Sequence, residues 1–155
     1  MRRHALTKVL PYTPDQLFQL VGDIARYPEF VPWLTSMRTW NEQALEAGVG
    51  ISIIRERFTT RVLRDANQRL IAVSLIRGPF RALNNSWLFR PHPGGTLIEF
   101  SIDFEFKSRL LDTILAANAR HAADRLIGCF EGRAKRLYGS AMSGSATPAP
   151  ADGAA

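Results

Sequence analysis

Three histidines, a single cysteine and 14 acidic side chains are the groups of this 155-residue chain best suited to chemistry. Their placement argues against most of it. His4 falls in a strand-like opening, His92 in a Pro-His-Pro turn and His121 in a helical stretch, and none has a partner at the spacing of a metal site. Cys129 stands alone, which excludes an internal disulfide and a multi-cysteine metal centre, and its apolar neighbours predict a buried, inert thiol. The chain has no G-x-S-x-G elbow, P-loop or dinucleotide fingerprint. No catalytic residue, metal or cofactor is therefore expected. Gly128 and Gly132 form G-x-x-x-G, which predicts a place where a helix passes close to a sheet or a bound ligand.

The aromatic residues point elsewhere. Phe30, Trp33, Trp40, Phe58, Phe80, Trp87, Phe89, Phe100, Phe104 and Phe106 offer more ring surface than a small antiparallel sheet needs, although filling the core is the ordinary role of most such rings. Asn85 alternates with Leu83, Trp87 and Phe89 on one apolar face. A buried amide there needs hydrogen-bond partners, which a wet cavity or a carbonyl-bearing ligand would supply. Binding of an apolar ligand is thus better founded than catalysis.

Periodicity assigns these rings to strands and helices. In Thr96 to Phe106 the residues Ile98, Phe100, Ile102, Phe104 and Phe106 alternate with Glu99, Ser101, Asp103 and Glu105, the period of a strand with one wet face. The sequence then changes to helical spacing, with Leu111, Ile114, Leu115, Ala122, Leu126, Phe130, Ala134 and Leu137 on one stripe. Ser108 is the natural N-cap of this helix, which at some 30 residues would run about 45 Å. Upstream, a strand from Arg3 to Val9 is stopped by Pro11. Thr13 and Pro14 open a short helix, Asp23 caps a second one, and Pro28 and Pro32 keep the next stretch irregular. Strands are expected at Ser36 to Asn41, Val49 to Glu56, Phe58 to Arg64, Arg69 to Arg77, Phe80 to Arg90 and Thr96 to Phe106. Turns fall at Ala47-Gly48, Asp65 to Asn67, Gly78-Pro79 and Pro91 to Gly95. The result is an α+β domain over residues 1–139: a curved antiparallel sheet of about seven strands, two short helices after the first strand, and a long C-terminal helix. Residues 140–155, rich in Ala, Gly, Ser and Pro, are expected to form a disordered tail.

A formal charge of +6, with 17 of 20 basic residues arginine, favours anionic surfaces, whether phospholipid or RNA. No run of five basic residues marks a nucleic-acid tail. No apolar run approaches the roughly 18 residues of a membrane span, and MRRHALTKVL shows no signal-peptide core, so the chain is expected to act where it is made.

The segments YPEFVPW, FTTRV, GPFRALNNSWLF, IEFSIDFEFKSRLL and FEGRAKRLYG together resemble the coenzyme-Q-binding proteins of the START-like, polyketide cyclase superfamily, over most of residues 1–139. The resemblance implies a helix-grip fold with a hydrophobic tunnel between sheet and helix, and a ubiquinone-binding role in respiration without catalysis. The ligand contacts expected are Tyr27, Phe30, Trp33, Phe58, Leu83, Asn85, Trp87, Phe89, Phe100, Phe104 and Leu115. Asn85 and the Tyr27 hydroxyl would meet the polar head, and Phe30 and Trp33 would sit at the tunnel entrance, where Arg26 or Arg38 would suit a membrane interface. The expected partners are ubiquinone or a similar prenylated lipid and, transiently, an anionic membrane surface; no DNA is expected. Very similar bacterial sequences are labelled ribosome-association toxins, so a ribosome-binding toxin is one alternative and a polyketide cyclase-like enzyme another. Because MRRHALTKVL lacks the leader of mitochondrial members, the chain is expected to act in the cytoplasm or peripherally on the inner face of the cytoplasmic membrane.

Overall fold

In the computed structural model of the chain, residues 2–41, 43–51, 54–116 and 119–139 are described. Strand β1 (Arg2–Leu10) is followed by helix α1 (Pro14–Gly22). Thr13 closes a reciprocal capping box: its Oγ1 accepts from the Gln16 amide at 3.1 Å, while Gln16 Oε1 accepts from the Thr13 amide at 3.0 Å. A 3-10 helix (Ile24–Glu29) comes next. Asp23 stands at its start, but its carboxylate pairs with Arg26 Nε at 3.2 Å and makes no cap bond to the backbone.

Six further strands complete the sheet: β2 (Leu34–Thr39), β3 (Ala44–Ile51), β4 (Ile54–Asp65), β5 (Leu70–Arg77), β6 (Phe80–His92) and β7 (Gly95–Phe106). They form one antiparallel sheet with β1, in the order β1-β7-β6-β5-β4-β3-β2. Helices α2 (Arg109–Ala116) and α3 (Ala119–Tyr138) end the chain's regular structure. This is the α+β helix-grip architecture. The pair of short helices carries the chain from one edge strand to the other, and the sheet closes its apolar face over α3.

One turn lies elsewhere than the sequence suggests. β3 and β4 pair without a break from Ala44↔Arg61 to Ile51↔Ile54, so Ala47 and Gly48 are central ladder residues and the connection falls at residues 52 and 53, outside the described residues. Gly48 is there because strands crowd. A Cβ at this position would lie 2.4 Å from Ser36 Oγ and 2.9 Å from Thr35 Oγ1. Gly95 is a true conformational glycine, with φ +129° and a Cβ position 2.3 Å from the Leu10 carbonyl oxygen.

Ser108 caps α2 as expected, its Oγ accepting from the Leu111 amide at 3.2 Å. The expected single long helix is seen as α2 and α3 on either side of residues 117 and 118, which lie outside the described residues. The buried stripe of α3 is Ala123, Ile127, Phe130 and Ala134, displaced by one position from the predicted Ala122 and Leu126, and Leu137 is exposed. Both stripes have helical spacing and share Phe130, which packs on Trp87 with ring centroids 4.9 Å apart; they differ in that Ala123 and Ile127 are the residues turned into the core. Gly128 and Gly132 then have open space where a Cβ would stand, so they mark no close approach.

The C-terminal end of α3 is latched to the start of the chain. Tyr138 Oη donates to the Gln16 carbonyl at 3.1 Å, and Tyr12 Oη donates to the Gly139 carbonyl at 3.2 Å. Lys8 meets Glu131 at 2.7 Å. The predicted tail, residues 140–155, lies outside the described residues.

Candidate functional site: an apolar groove beside the last helix

Strand register decides which side chains meet α3. In β7, Ile98, Phe100, Ile102, Phe104 and Phe106 point to one face. Opposite them on β6 stand Phe89, Trp87, Asn85 and Leu83, and on β1 His4 lies across from Ile102. Toward the C-terminal half of α3 this face is packed shut by Trp87, Phe89, Phe100, Ile127 and Phe130. Toward its N-terminal half, sheet and helix part to leave a groove of about 640 Å³. Its walls are Trp33, Phe58, Phe80, Leu83, Phe100, Ile102, Phe104, Phe106, Leu111 and Leu126, with Glu56, His121 and Arg125 among the polar residues that line it. The rings pack against one another, Phe58 to Phe80 at 5.3 Å, Phe80 to Phe106 at 4.5 Å and Phe104 to Phe106 at 5.7 Å. Arg125 places its guanidinium 5.1 Å above the Trp33 ring.

Of the contacts expected from sequence, Trp33, Phe58, Leu83, Phe100 and Phe104 line this groove. Trp87 and Phe89 do not. Trp87 is 2% exposed and wedged between Phe100 at 4.7 Å and Phe130 at 4.9 Å, while Phe89 meets Phe18 edge-on. The Tyr27 hydroxyl donates to the Val21 carbonyl, its ring lies 5.0 Å from that of Phe130, and burial pushes its pKa up. That hydroxyl is committed within the protein rather than offered to a ligand. Asn85 is also satisfied internally: Nδ2 donates to the Ser101 carbonyl at 2.9 Å, and Oδ1 accepts the Trp87 indole N–H at 3.1 Å. A neighbouring strand and an indole, not a wet cavity, supply the partners its amide needed. The Leu115 side chain lies outside the described residues. Trp33 is half-buried, and its cationic neighbour is Arg125 rather than Arg26 or Arg38.

Phe80, Ile102, Phe106 and Leu126 carry no sequence signal that sets them apart as ligand contacts, although Ile102 and Phe106 share the alternation that marks Phe100 and Phe104. His4 is equally silent in the sequence. Its Nε2 is buried without a hydrogen-bond partner, and its ring stacks on Phe104 at 6.0 Å.

A second cavity, about 780 Å³, opens between the short helices, β2 to β4 and the C-terminal end of α3. Gln19, Arg26, Asn41, Gln43, Arg64 and Arg133 give it a polar lining, and Phe30 is one of its walls. Arg133 lies 5.0 Å over the Phe30 ring and donates to Glu29 at 2.7 Å, a bond that holds the Glu29 carboxyl below its usual range. Ring contacts from Phe30 to Phe130 at 5.1 Å, then to Trp87 and Phe100, fill the space between the two openings. The second cavity is larger, but its arginines and amides favour water and ions. The groove is the one whose lining suits an apolar ligand.

The groove carries few titratable groups. Its titratable residues are Glu56, His121 and Arg125, and both Glu56 and His121 are exposed. Among the described residues no cluster of three His, Cys, Asp or Glu side chains could hold a metal ion. Cys129 is half-buried, and burial pushes its thiol up in pKa, away from the reactive thiolate.

Residues 10–131 match the family described as polyketide cyclase / dehydrase and lipid transport. The chain belongs to this family. Among curated members, the ribosome association toxin RatA of Rickettsia prowazekii is 37% identical over 84% of this chain and 94% of its own length. The mitochondrial coenzyme Q-binding protein COQ10 homolog B of Xenopus laevis is 26% identical over 86% of this chain and 58% of its own. An 18 kDa protein of Caulobacter crescentus, known from its solution structure, is 56% identical, with a TM-score of 0.76 over 90% of this chain and all of that one. The two curated relatives carry the names of a toxin and of a coenzyme Q-binding protein, whereas the family description also covers cyclases. No helix among the described residues is long and apolar enough to cross a membrane.

Proposed function

We propose that this protein binds a prenylated quinone, ubiquinone foremost, in the groove between β7 and α3, and acts as a carrier or chaperone for respiration rather than as an enzyme. The observation that carries this is the ring-lined opening formed by Phe58, Phe80, Phe104 and Phe106, which core packing leaves unfilled. Rings and aliphatic chains suit an isoprenoid tail, and a single polar group nearby would orient a carbonyl. His121, which lines the groove, is a group so placed. The coenzyme Q-binding relative supports the same ligand class. Trp33 under Arg125 suits exchange of ligand at an anionic membrane, with an amphipathic ring for the interface and a cation for headgroups. The test is mass spectrometry of organic extracts of the purified protein. Recovery of a prenylated quinone in near-stoichiometric amount supports the assignment, and extracts free of any prenyl lipid overturn it.

A second reading is that the protein associates with the ribosome and blocks subunit joining. It is favoured by the 37% identity to the relative named ribosome association toxin, above the 26% of the quinone-binding one. Sedimentation of ribosomes with added protein tests it. Loss of joined subunits at physiological salt supports this reading, and an unchanged profile removes it.

A further inference from the structure

The two faces of the sheet differ, and so do the two halves of its outer face. Opposite α3, the β1-β7-β6 half carries Arg3, Arg81 and Arg90, each paired with a carboxylate of β7: Asp103 at 2.6 Å, Glu105 at 3.7 Å and Glu99. The β2-to-β5 half is built otherwise. Val62 and Thr60 of β4 are buried toward α3, so Arg57, Thr59 and Arg61 point outward. Register brings Arg77 of β5 opposite Thr59, and Arg38 of β2 opposite Glu46, itself the cross-strand neighbour of Thr59. Arg38, Arg57, Arg61 and Arg77 are all solvent-accessible. Among the described residues none of these four forms an ion pair, and Glu46 is the acidic side chain placed among them. Their cross-strand neighbours are small or polar: Gly48 beside Arg57, and Ala44 and Ser74 beside Arg61. At about 3.4 Å per residue and 4.8 Å between strands, the four guanidinium stems cover a field roughly 15 Å on each side.

We infer that this outer β2-to-β5 face binds the phosphodiester backbone of RNA. Uncommitted guanidinium groups on a stiff sheet match phosphate oxygens in a bidentate way and, among the described residues, bring no competing carboxylate beyond Glu46. A bilayer is a poorer fit. A convex face touches a flat surface over little area, and its exposed aliphatic side chains, Leu63 of β4 and Ile76 of β5, are set four residues apart by the Leu63↔Ala72 register, so they make no continuous apolar anchor. Trp40, two residues beyond Arg38, is 62% exposed and offers a ring on which an unstacked base of an RNA loop can lie. The face is independent of the quinone groove, which lies on the other side of the sheet.

The test uses the whole protein, a fluorescent RNA hairpin with a single-stranded loop, and anionic phosphatidylglycerol vesicles as the competing surface. Binding of the hairpin is measured by anisotropy from low to physiological salt. The triple variant R57Q/R61Q/R77Q is compared with R3Q/R81Q/R90Q, which removes the same charge from the paired half. The expected result is salt-sensitive RNA binding whose log–log slope falls by about 2–3 in the first triple variant and changes little in the second, because each lost phosphate contact removes about 0.7–0.9 from the slope. Trp40→Ala should further weaken hairpin binding by several-fold without altering the slope. Equal losses in both triple variants would mean diffuse charge attraction, and vesicle binding without RNA binding would mean a membrane surface; either overturns the inference. Thermal melts of all variants establish that the folds are intact, and quinone content, measured in parallel, should be the same in all of them.

Discussion

The indole N–H of Trp87 donates to the side-chain oxygen of Asn85 at 3.1 Å, two residues back on the same strand and the same face. The Asn85 amide nitrogen in turn donates to the Ser101 carbonyl of β7 at 2.9 Å. A side chain that looks like a ligand contact in a strand pattern is thus the partner that lets a tryptophan be buried. Asn85→Leu removes the acceptor and strands the indole N–H, so it should cost about 1–3 kcal/mol in urea denaturation. A melting temperature equal to that of the parent would show the bond to be dispensable.

Trp87 and Phe104 lie on adjacent strands but do different work. Trp87→Ala opens a hole between Phe100 and Phe130 and should cost about 3–5 kcal/mol. Phe104→Ala enlarges a groove that is already open, so it should cost less stability and weaken quinone retention roughly tenfold, about 1.4 kcal/mol. Denaturation curves and quinone titrations on both variants check the split; the reverse order would place the ligand in the core.

Gly95→Ala should be among the most damaging single methyl additions. The backbone there has φ +129°, and the new Cβ would lie 2.3 Å from the Leu10 carbonyl oxygen, which belongs to a strand and cannot swing aside. A loss of more than about 2 kcal/mol is expected by chemical denaturation.

Arg3 and Asp103 tie the edge strand β1 to β7 with two bonds, at 2.6 and 2.9 Å. The guanidinium holds the Asp103 carboxyl below its usual range, chiefly through the hydrogen bond. Because the folded pKa is the lower one, the unfolded chain binds the proton more readily. The stabilisation is present above the unfolded value of about 3.9 and is lost as pH falls through the folded value. Asp103→Asn should therefore flatten the acid limb of the stability curve below about pH 4 and slightly lower stability at neutral pH, as followed by melting temperature against pH.

A chain ending at Gly139 keeps both latches of α3, the Tyr138 bond to Gln16 and the Tyr12 bond to Gly139, and should melt within a degree or two of the full chain. A chain ending at Leu137 loses both and should melt several degrees lower.

Much of this fold can be read from local chemistry. The Thr13-Pro14 start of α1, the Ser108 cap and the alternation of β7 all depend on neighbours within a few residues, and all stand where periodicity puts them. The features that were not legible depend on distant groups. Gly48 reads as a turn because its reason, the Ser36 hydroxyl on the next strand, is invisible locally. Two helical stripes that share Phe130 and Ala134 are equally periodic in α3, and only packing against the sheet turns Ala123 and Ile127 inward in place of Ala122 and Leu126. For the groove, alternation identifies the apolar face but not where sheet and helix part, so Trp87 and Phe104 look alike in sequence. Arginines that are dispersed along the chain gather on one half-face because strands fold back on one another.

The pairing of β1 with β7 has a consequence for how the chain is made. Arg3 and Asp103 are 100 residues apart, and β7 is the last strand to be synthesised. At roughly 5–20 residues per second, the apolar edge of β1, with Leu6 and Leu10, waits about 5–20 s outside the translating ribosome before its partner emerges. Sheet closure is therefore late and of high contact order, which makes it slow relative to the β3–β4 and β6–β7 hairpins. During that interval the nascent chain presents an unpaired first strand, and it is there, rather than in the finished protein, that aggregation and the need for a chaperone should concentrate.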